Sequence, residues 1–311
     1  MKKIVEAVRP YKYKNNSNFK MAPYLAWKNA GGRVIDSRKL EKYYESISYH
    51  VDLPTIMHDD KVRLRFVEGA SVRFDTFPDY IYHEVIPVIW DCWPAHFDNM
   101  AFWFKKHKVK TAFFTSSQTA DRMQDLFPNI NVFHLPEAIE TDKYKKGELL
   151  SKRVYDYLEF GRCCYYVNTK IISSKINILS SRNEQGVLSD RNKLIEALSD
   201  SKVTICIPRI DNQPEIAGNI ETLTQRYWEC MLSRILIIGR APQELIDIIG
   251  YDPVIHLDKD NFDNQIAYII ENIDKYQGLV DKNREMALIH GDWKIRIDFI
   301  RKTLLKLGYV I

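Results

Sequence analysis

The chain has 311 residues, 45% of them hydrophobic and 28% charged, with only 12 Gly and 12 Pro, which excludes a disordered or fibrous protein and suits two medium domains. A net charge of +4 is too mild to mark a nucleic-acid binder, although it is compatible with loose peripheral attachment to an anionic membrane surface. The five cysteines, Cys92, Cys163, Cys164, Cys206 and Cys230, contain no C-x-x-C pair and read as reduced thiols of a cytosolic protein, not as a disulfide frame or a zinc site.

The first ten residues carry no apolar stretch of signal-peptide length, since Glu6 and Arg9 interrupt them. No apolar run reaches the ~18 residues of a spanning helix, so any membrane contact is expected to be peripheral. Residues 11–19 are polar and aromatic, and residues 23–30 read as a short helix before Gly31-Gly32. Strands follow at 33–36, 79–82, 85–90, 111–115 and 131–135. Helical patterns fill 98–108 and 118–127, the second capped by Ser116 or Ser117.

A second alternating series begins near residue 151. Its strands are expected at 154–160, 176–179, 202–208, 234–239 and 253–257, and its helices at 190–198, 222–232, 242–249, 261–273 and 279–289. Strands separated by helices predict parallel sheets with right-handed crossovers, hence an α/β chain of two Rossmann-like lobes, residues 1–150 and 151–290. The cleft between lobes is the default site. In the last helix, 292–307, residues Trp293, Ile297, Ile300, Leu304 and Leu307 recur at steps of four and three as one apolar stripe that must pack on something.

Chemistry concentrates in Glu221-Thr-Leu-Thr-Gln-Arg-Tyr-Trp-Glu229, two carboxylates separated by seven residues, lying between the strands at 202–208 and 234–239. Thr222 reads as the N-cap of a helix, with Gln225 as its capping-box partner and Glu229 in the second turn. The amides of Leu223 and Thr224, with the positive end of the helix dipole, then form a place for a diphosphate. On the first series, Ile89-Trp-Asp-Cys-Trp-Pro-Ala-His96 closes a strand, and catalytic groups gather at the C-terminal ends of parallel strands. Asp91 and Trp93 are candidates to grip a ligand's hydroxyls and apolar faces. Arg209 and Thr224 are candidates near a diphosphate, on loops after strands.

Asp258-Lys-Asp260 matches a D-x-D pattern but reads as helix-start acids, and no metal-ligand cluster is expected. No P-loop, dinucleotide fingerprint or G-x-S-x-G elbow occurs, which withdraws support from a P-loop ATPase, a dehydrogenase and a serine hydrolase.

The stretch from Glu221 to Glu229 resembles the Glu-x7-Glu signature of the retaining glycosyl transferases group 1 family, which has the glycosyltransferase B fold. The likeness extends to Ile207-Pro-Arg209 after a strand, to Cys230-Met-Leu-Ser-Arg-Ile-Leu-Ile-Ile-Gly239, and to the runs from Ala241 and Gly250, which are similar to bacterial surface-polysaccharide members. It covers residues 151–300 well and residues 1–80 poorly. Glu221-Thr-Leu-Thr224 departs from the family's Glu-Gly-Phe-Gly, and the family's early Gly-Gly loop is not recognisable.

The resemblance implies a cytoplasmic enzyme, at most at the inner face of the membrane, that moves a sugar from a nucleoside diphosphate to a saccharide or lipid-linked acceptor hydroxyl, with retention and without metal or cofactor. It implies that Glu221 contacts the transferred sugar, that Glu229 binds the ribose hydroxyls, and that His96 touches the donor sugar. Arg162 and Lys170 are the implied basic pair that neutralises the departing diphosphate. The lobe at 1–150 then shapes the acceptor side, that at 151–290 holds the donor, and the helix within 291–311 returns to the first lobe. A nucleotide-sugar epimerase or an inverting transferase on the same fold is the enzymatic alternative. A nucleotide-binding scaffold without turnover is the alternative from another class.

Overall fold

The computed structural model describes residues 3–10, 19–37, 43, 47, 51, 53–56, 59–161, 176–180 and 190–311. They form two compact units. Unit 1 comprises Met1–Glu137, Gln213–Thr222 and Trp293–Ile311; unit 2 comprises Ala138–Asn212 and Leu223–Asp292.

Unit 1 is built on six parallel strands: β1 (Ile4–Arg9), β2 (Arg33–Asp36), β3 (Lys61–Glu68), β4 (Glu84–Trp90), β5 (Thr111–Phe114) and β6 (Asn131–His134), in the order β2-β1-β3-β4-β5-β6. The order reverses between β1 and β3, the mark of a doubly wound sheet. Strand β3 shows why it was not legible as a strand. Val62, Leu64 and Phe66 alternate with Arg63 and Arg65, and both arginines are buried. They are tolerated there because each has an acidic partner: Arg63 pairs with Glu6 on β1, and Arg65 Nε donates to Asp79 Oδ2 at 2.7 Å. Asp79 itself lies in a helical turn, Asp79–Tyr82, which corrects the strand expected at 79–82. Its apolar positions Tyr80 and Ile81 are adjacent, not alternating, and both are buried in the turn.

Helices α1 (Ala22–Asn29), α2 (Pro94–Lys106), α3 (Ser117–Leu126) and the C-terminal helix of the unit, Trp293–Lys306, cover this sheet. The Ser116 side chain accepts the Thr119 N–H, so the expected cap of α3 is present. The C-terminal helix packs in unit 1 as its stripe requires. Trp293 meets Phe66 edge-on at 6.0 Å, Phe299 meets Phe113 at 6.4 Å, and the Arg301 guanidinium lies 5.8 Å from the Trp27 ring. Beyond it Val310 pairs with β1, and the Tyr309 hydroxyl donates to Glu84, which also accepts from Lys3.

Unit 2 holds five parallel strands: β7 (Tyr155–Glu159), β8 (Ile178–Ser180), β9 (Ser201–Cys206), β10 (Leu236–Gly239) and β11 (Ile255–His256), ordered β11-β10-β9-β7-β8. Its helices are α4 (Arg191–Asp200), α5 (Gln225–Leu232), α6 (Gln243–Ile249), α7 (Phe262–Glu271) and α8 (Gln277–His290); the Trp293–Lys306 helix of unit 1 is α9. Strands β9 and β10 are buried almost throughout, as expected of a parallel sheet covered on both faces. Trp228, Tyr227, Met231 and Leu232 of α5 are wholly buried and join Leu158, Cys206 and Ile237 in one core. The order again reverses, here between β7 and β9.

Candidate functional site

In unit 2 the reversal brings the C-terminal ends of β7 and β9 next to each other, the place where open α/β sheets bind ligands. After β7 the chain passes through buried Phe160 to Gly161, whose φ of +67° is a left-handed turn that favours glycine. Arg162 and Lys170 lie outside the described residues, as do Cys163 and Cys164. After β9, Ile207-Pro208 leads into the short helical turn Arg209–Asn212, which places Arg209 at this end of the sheet, partly exposed. The turn is fixed by a two-point contact, Arg240 Nε to Asp211 Oδ2 at 2.6 Å and Nη2 to Oδ1 at 3.0 Å.

Helix α5 begins at Gln225, three residues later than the expected cap, with Thr224 as the extended N-cap residue. Thr222 is therefore not the cap. Gln225 donates from Nε2 to the Ala138 carbonyl at 3.1 Å. The Leu223 N–H, expected to face a phosphate, donates to Glu244 Oε2 at 2.7 Å, and Leu223 is fully buried. An N–H already held by a carboxylate does not receive an anion, so the helix entry is left to Thr224.

Glu229 stands in the second turn of α5, as expected, within a network that no local pattern announces. The Tyr144 hydroxyl donates to its Oε1 at 2.7 Å. Arg191 of α4 sits 5.9 Å from the Tyr144 ring and donates to Glu140 Oε2 at 2.7 Å. Burial raises the Glu229 carboxyl above its ordinary value, against the Tyr144 hydrogen bond and the positive charges of Arg226 and Arg191. Burial also raises Tyr144, and the neighbouring Glu229 adds to this, so the phenol stays a donor. The network thus supplies a hydrogen-bonded, partly buried carboxylate in the second turn of α5. Tyr144, Arg191 and Arg226 were not found from sequence. Only Arg226 carried a signal, its place three residues before Glu229 on the same helix.

The other sequence candidates lie in unit 1. Glu221 is on a loop held at its main chain: Gln118 of α3 accepts the Glu221 N–H at 2.6 Å and donates to the Asn219 carbonyl at 3.1 Å. The Thr222 hydroxyl donates to Thr115 O at 3.4 Å, at the C-terminal end of β5. Gly218, with φ of +57°, packs against Pro94, where a β-carbon would come within 2.8 Å of Cγ. This seats the Glu221 loop beside the start of α2, two residues from His96. His96 is partly exposed and lines a recess of about 210 Å³ with Gly69, Phe74, Asn99, Phe102 and Trp103. Asp91, with φ of 50°, is exposed in the loop directly after β4. Trp93, the candidate for an apolar ligand face, is 4% exposed. Asp258 lies in the turn before α7, its Oδ1 accepting the N–H groups of Asp260 and Asn261 at 3.2 and 3.1 Å.

No model of a known protein family matches the chain, and no curated protein matches it in sequence. Solved structures do match in fold. A sucrose-phosphate synthase from Thermosynechococcus elongatus superposes with a TM-score of 0.61 at 10% identity, covering 98% of this chain and 99% of its own. HepE from Anabaena, in complex with UDP-glucose, gives 0.59 at 8% identity, with 97% and 99% coverage. A glycosyltransferase from Rickettsia africae gives 0.54 at 11% identity, with 97% of both chains covered. At such identities the likeness is one of fold: the chain has the α/β glycosyltransferase B architecture with two Rossmann-like lobes.

Proposed function

We propose that this protein is a glycosyltransferase that moves a sugar from a nucleoside diphosphate donor to an acceptor hydroxyl with retention of configuration. The observation that carries the reading is Glu229, set in the second turn of α5 at the switch-point end of the second sheet, with Tyr144 donating to its Oε1. A carboxylate so placed is an acceptor for the paired hydroxyls of a ribose. The fold shared with sucrose-phosphate synthase and with HepE, solved with UDP-glucose, supports the same reading.

In this reading Glu229 anchors the nucleoside, and Thr224 and Arg209 lie along the phosphates. Arg162 and Lys170 offset the charge that develops on the departing diphosphate. Glu221 orients the transferred sugar, with Thr222 fixing its loop, while His96 and Asp91 face the sugar and acceptor side. No protein nucleophile, cofactor or metal is assigned. The acceptor is a saccharide or a lipid-linked saccharide in polysaccharide or glycoconjugate assembly, met in the cytoplasm or at the inner membrane face. Among the described residues no helix is long and apolar enough to cross a membrane, so that contact would be peripheral.

The test is a thermal-shift screen of UDP-, GDP- and CDP-sugars with EDTA present, followed by detection of released nucleoside diphosphate. A true donor at about a hundred times its dissociation constant adds roughly 2.7 kcal/mol of apparent stability. Stabilisation by one donor, lost in Glu229→Ala, with release of its diphosphate when acceptor is supplied, is the expected result. Absence of stabilisation by every donor, with and without divalent metal, would remove the reading.

A further inference from the structure

We propose that Arg226 is a phosphate-binding residue of the nucleotide site, an assignment that rests on the nucleotide-sugar reading above. Arg226 is in the first turn of α5, and its side chain leaves the helix toward the C-terminal end of β7. Its Cζ lies 5.3 Å from the Phe160 ring centroid. A β-carbon on Gly161 would lie far inside a contact distance of Arg226 Nη2, so the guanidinium packs against the Gly161 main chain. The left-handed φ of Gly161 and its missing side chain are what admit the group.

Two further facts turn this packing into a binding argument. Phe160 and Gly161 continue β7 at the switch point, where open α/β sheets bind ligands, and Arg226 reaches them from the helix that carries Glu229. Its charge also acts on Glu229 itself, favouring the ionised carboxylate that would accept ribose hydroxyls. A nucleoside diphosphate whose ribose meets Glu229 carries its phosphates away from the nucleoside, and the nearest fixed cation on α5 is Arg226. A planar guanidinium matches two phosphate oxygens at once, which a lysine at the same place does not. Arg226 is thereby the cation that joins the nucleoside end of the site to the C-terminal end of β7.

A purely structural arginine stacked on Phe160 would matter equally for every ligand, and this separates the two roles. Binding of UDP and GDP, and of uridine and guanosine, is measured by calorimetry on the wild type, Arg226→Ala, Arg226→Lys and Gly161→Ala. Arg226→Ala should weaken the preferred diphosphate about 10- to 100-fold while leaving its nucleoside within about twofold. Arg226→Lys should recover only part of the loss and retain the melting temperature, which covers the case in which the alanine variant fails to fold. Gly161→Ala keeps Arg226 but displaces its guanidinium, and should lose the diphosphate selectively as well. Equal weakening of nucleoside and diphosphate, or unchanged diphosphate affinity in both Arg226 variants, overturns the assignment while leaving the nucleotide reading intact. A wild-type protein that binds neither diphosphate overturns the nucleotide reading, and the role of Arg226 with it.

Discussion

The Tyr144 hydroxyl donates to Glu229 across 85 residues of sequence, at 2.7 Å, and this bond decides how the carboxylate of α5 is presented. Burial favours the protonated acid, and the tyrosine bond favours the ionised one. Removing the phenol should therefore raise the Glu229 pKa further. In Tyr144→Phe we expect about tenfold weaker donor binding, the ~1.5 kcal/mol of a hydrogen bond to a charged group. On the proposal that the ionised form accepts ribose hydroxyls, binding should fall as pH drops through the raised carboxyl value, and that midpoint should move to higher pH in the variant. Donor affinity measured against pH checks this; superimposable profiles would separate Tyr144 from the site.

Glu221 and its loop lend themselves to a different dissection. Gln118 holds the loop by its main chain, so Glu221→Gln should leave the loop in place, keep nucleoside diphosphate affinity near that of the wild type and lower turnover by at least about 100-fold. Gln118→Ala releases the Glu221 N–H and the Asn219 carbonyl instead. It should cost about 1–2 kcal/mol in transition-state stabilisation, roughly five- to thirtyfold in kcat/KM. Steady-state kinetics on both variants distinguish the side chain's role from the loop's. Full turnover in Glu221→Gln would end the catalytic assignment.

At the first residue of β4, Glu84 ties acid stability to the end of the chain. Burial pushes its carboxyl up, but hydrogen bonds from Lys3 and Tyr309, with the charges of Lys3 and Lys110, outweigh it and hold the group below the ordinary 4.5. A depressed carboxyl lends stability above its unfolded value, and that stability is lost as pH falls from about 4.5 through the folded value. Glu84→Gln should be less stable than the wild type at pH 7 and should lose less on acidification. Melting temperatures from roughly pH 3 to 7 test this; parallel acid limbs would show that Glu84 does not carry the effect.

The described thiols should be inert. Burial pushes Cys92 up to about 12, and burial together with the neighbouring Cys206 raises Cys230, whose Sγ lies 3.6 Å from that of Cys206. A thiol that is neither accessible nor ionised does not attack a disulfide reagent. With Cys163 and Cys164 replaced by Ser, the native protein should give no colour with an aromatic disulfide reagent at pH 8, and three equivalents after unfolding. Rapid native reaction would contradict the burial of this trio.

The second sheet was readable because its strands are the apolar runs that a parallel, doubly covered sheet demands, as in Lys202-Val-Thr-Ile-Cys-Ile-Pro208 and Arg234-Ile-Leu-Ile-Ile-Gly239. The first sheet resisted at its centre. In β3 Arg63 and Arg65 stand between Val62, Leu64 and Phe66, and they are buried only because Glu6 and Asp79, distant in sequence, neutralise them. Hydrophobic periodicity has no access to such compensation. The site divides likewise. Glu221 and Glu229 were visible as a spaced pair, and His96 as a residue following a strand. Tyr144, Arg191 and the Gln118 clamp act through tertiary contacts with no local signature. The late start of α5 has the same origin, since Glu244 takes the Leu223 N–H that a cap at Thr222 would have left to the helix.

The route of the chain through unit 1 has a bearing on biogenesis. On the ribosome, residues 293–311 emerge after every strand of the second sheet, yet α9 is what covers Trp27, Phe66 and Phe113. Until then one apolar face of the first sheet has no lid, and the Glu84 carboxylate lacks its Tyr309 donor. The nascent first unit thus exposes apolar surface until α9 docks, and a fragment ending at residue 292 should be recovered from cells mainly as aggregate, whatever the state of the second unit.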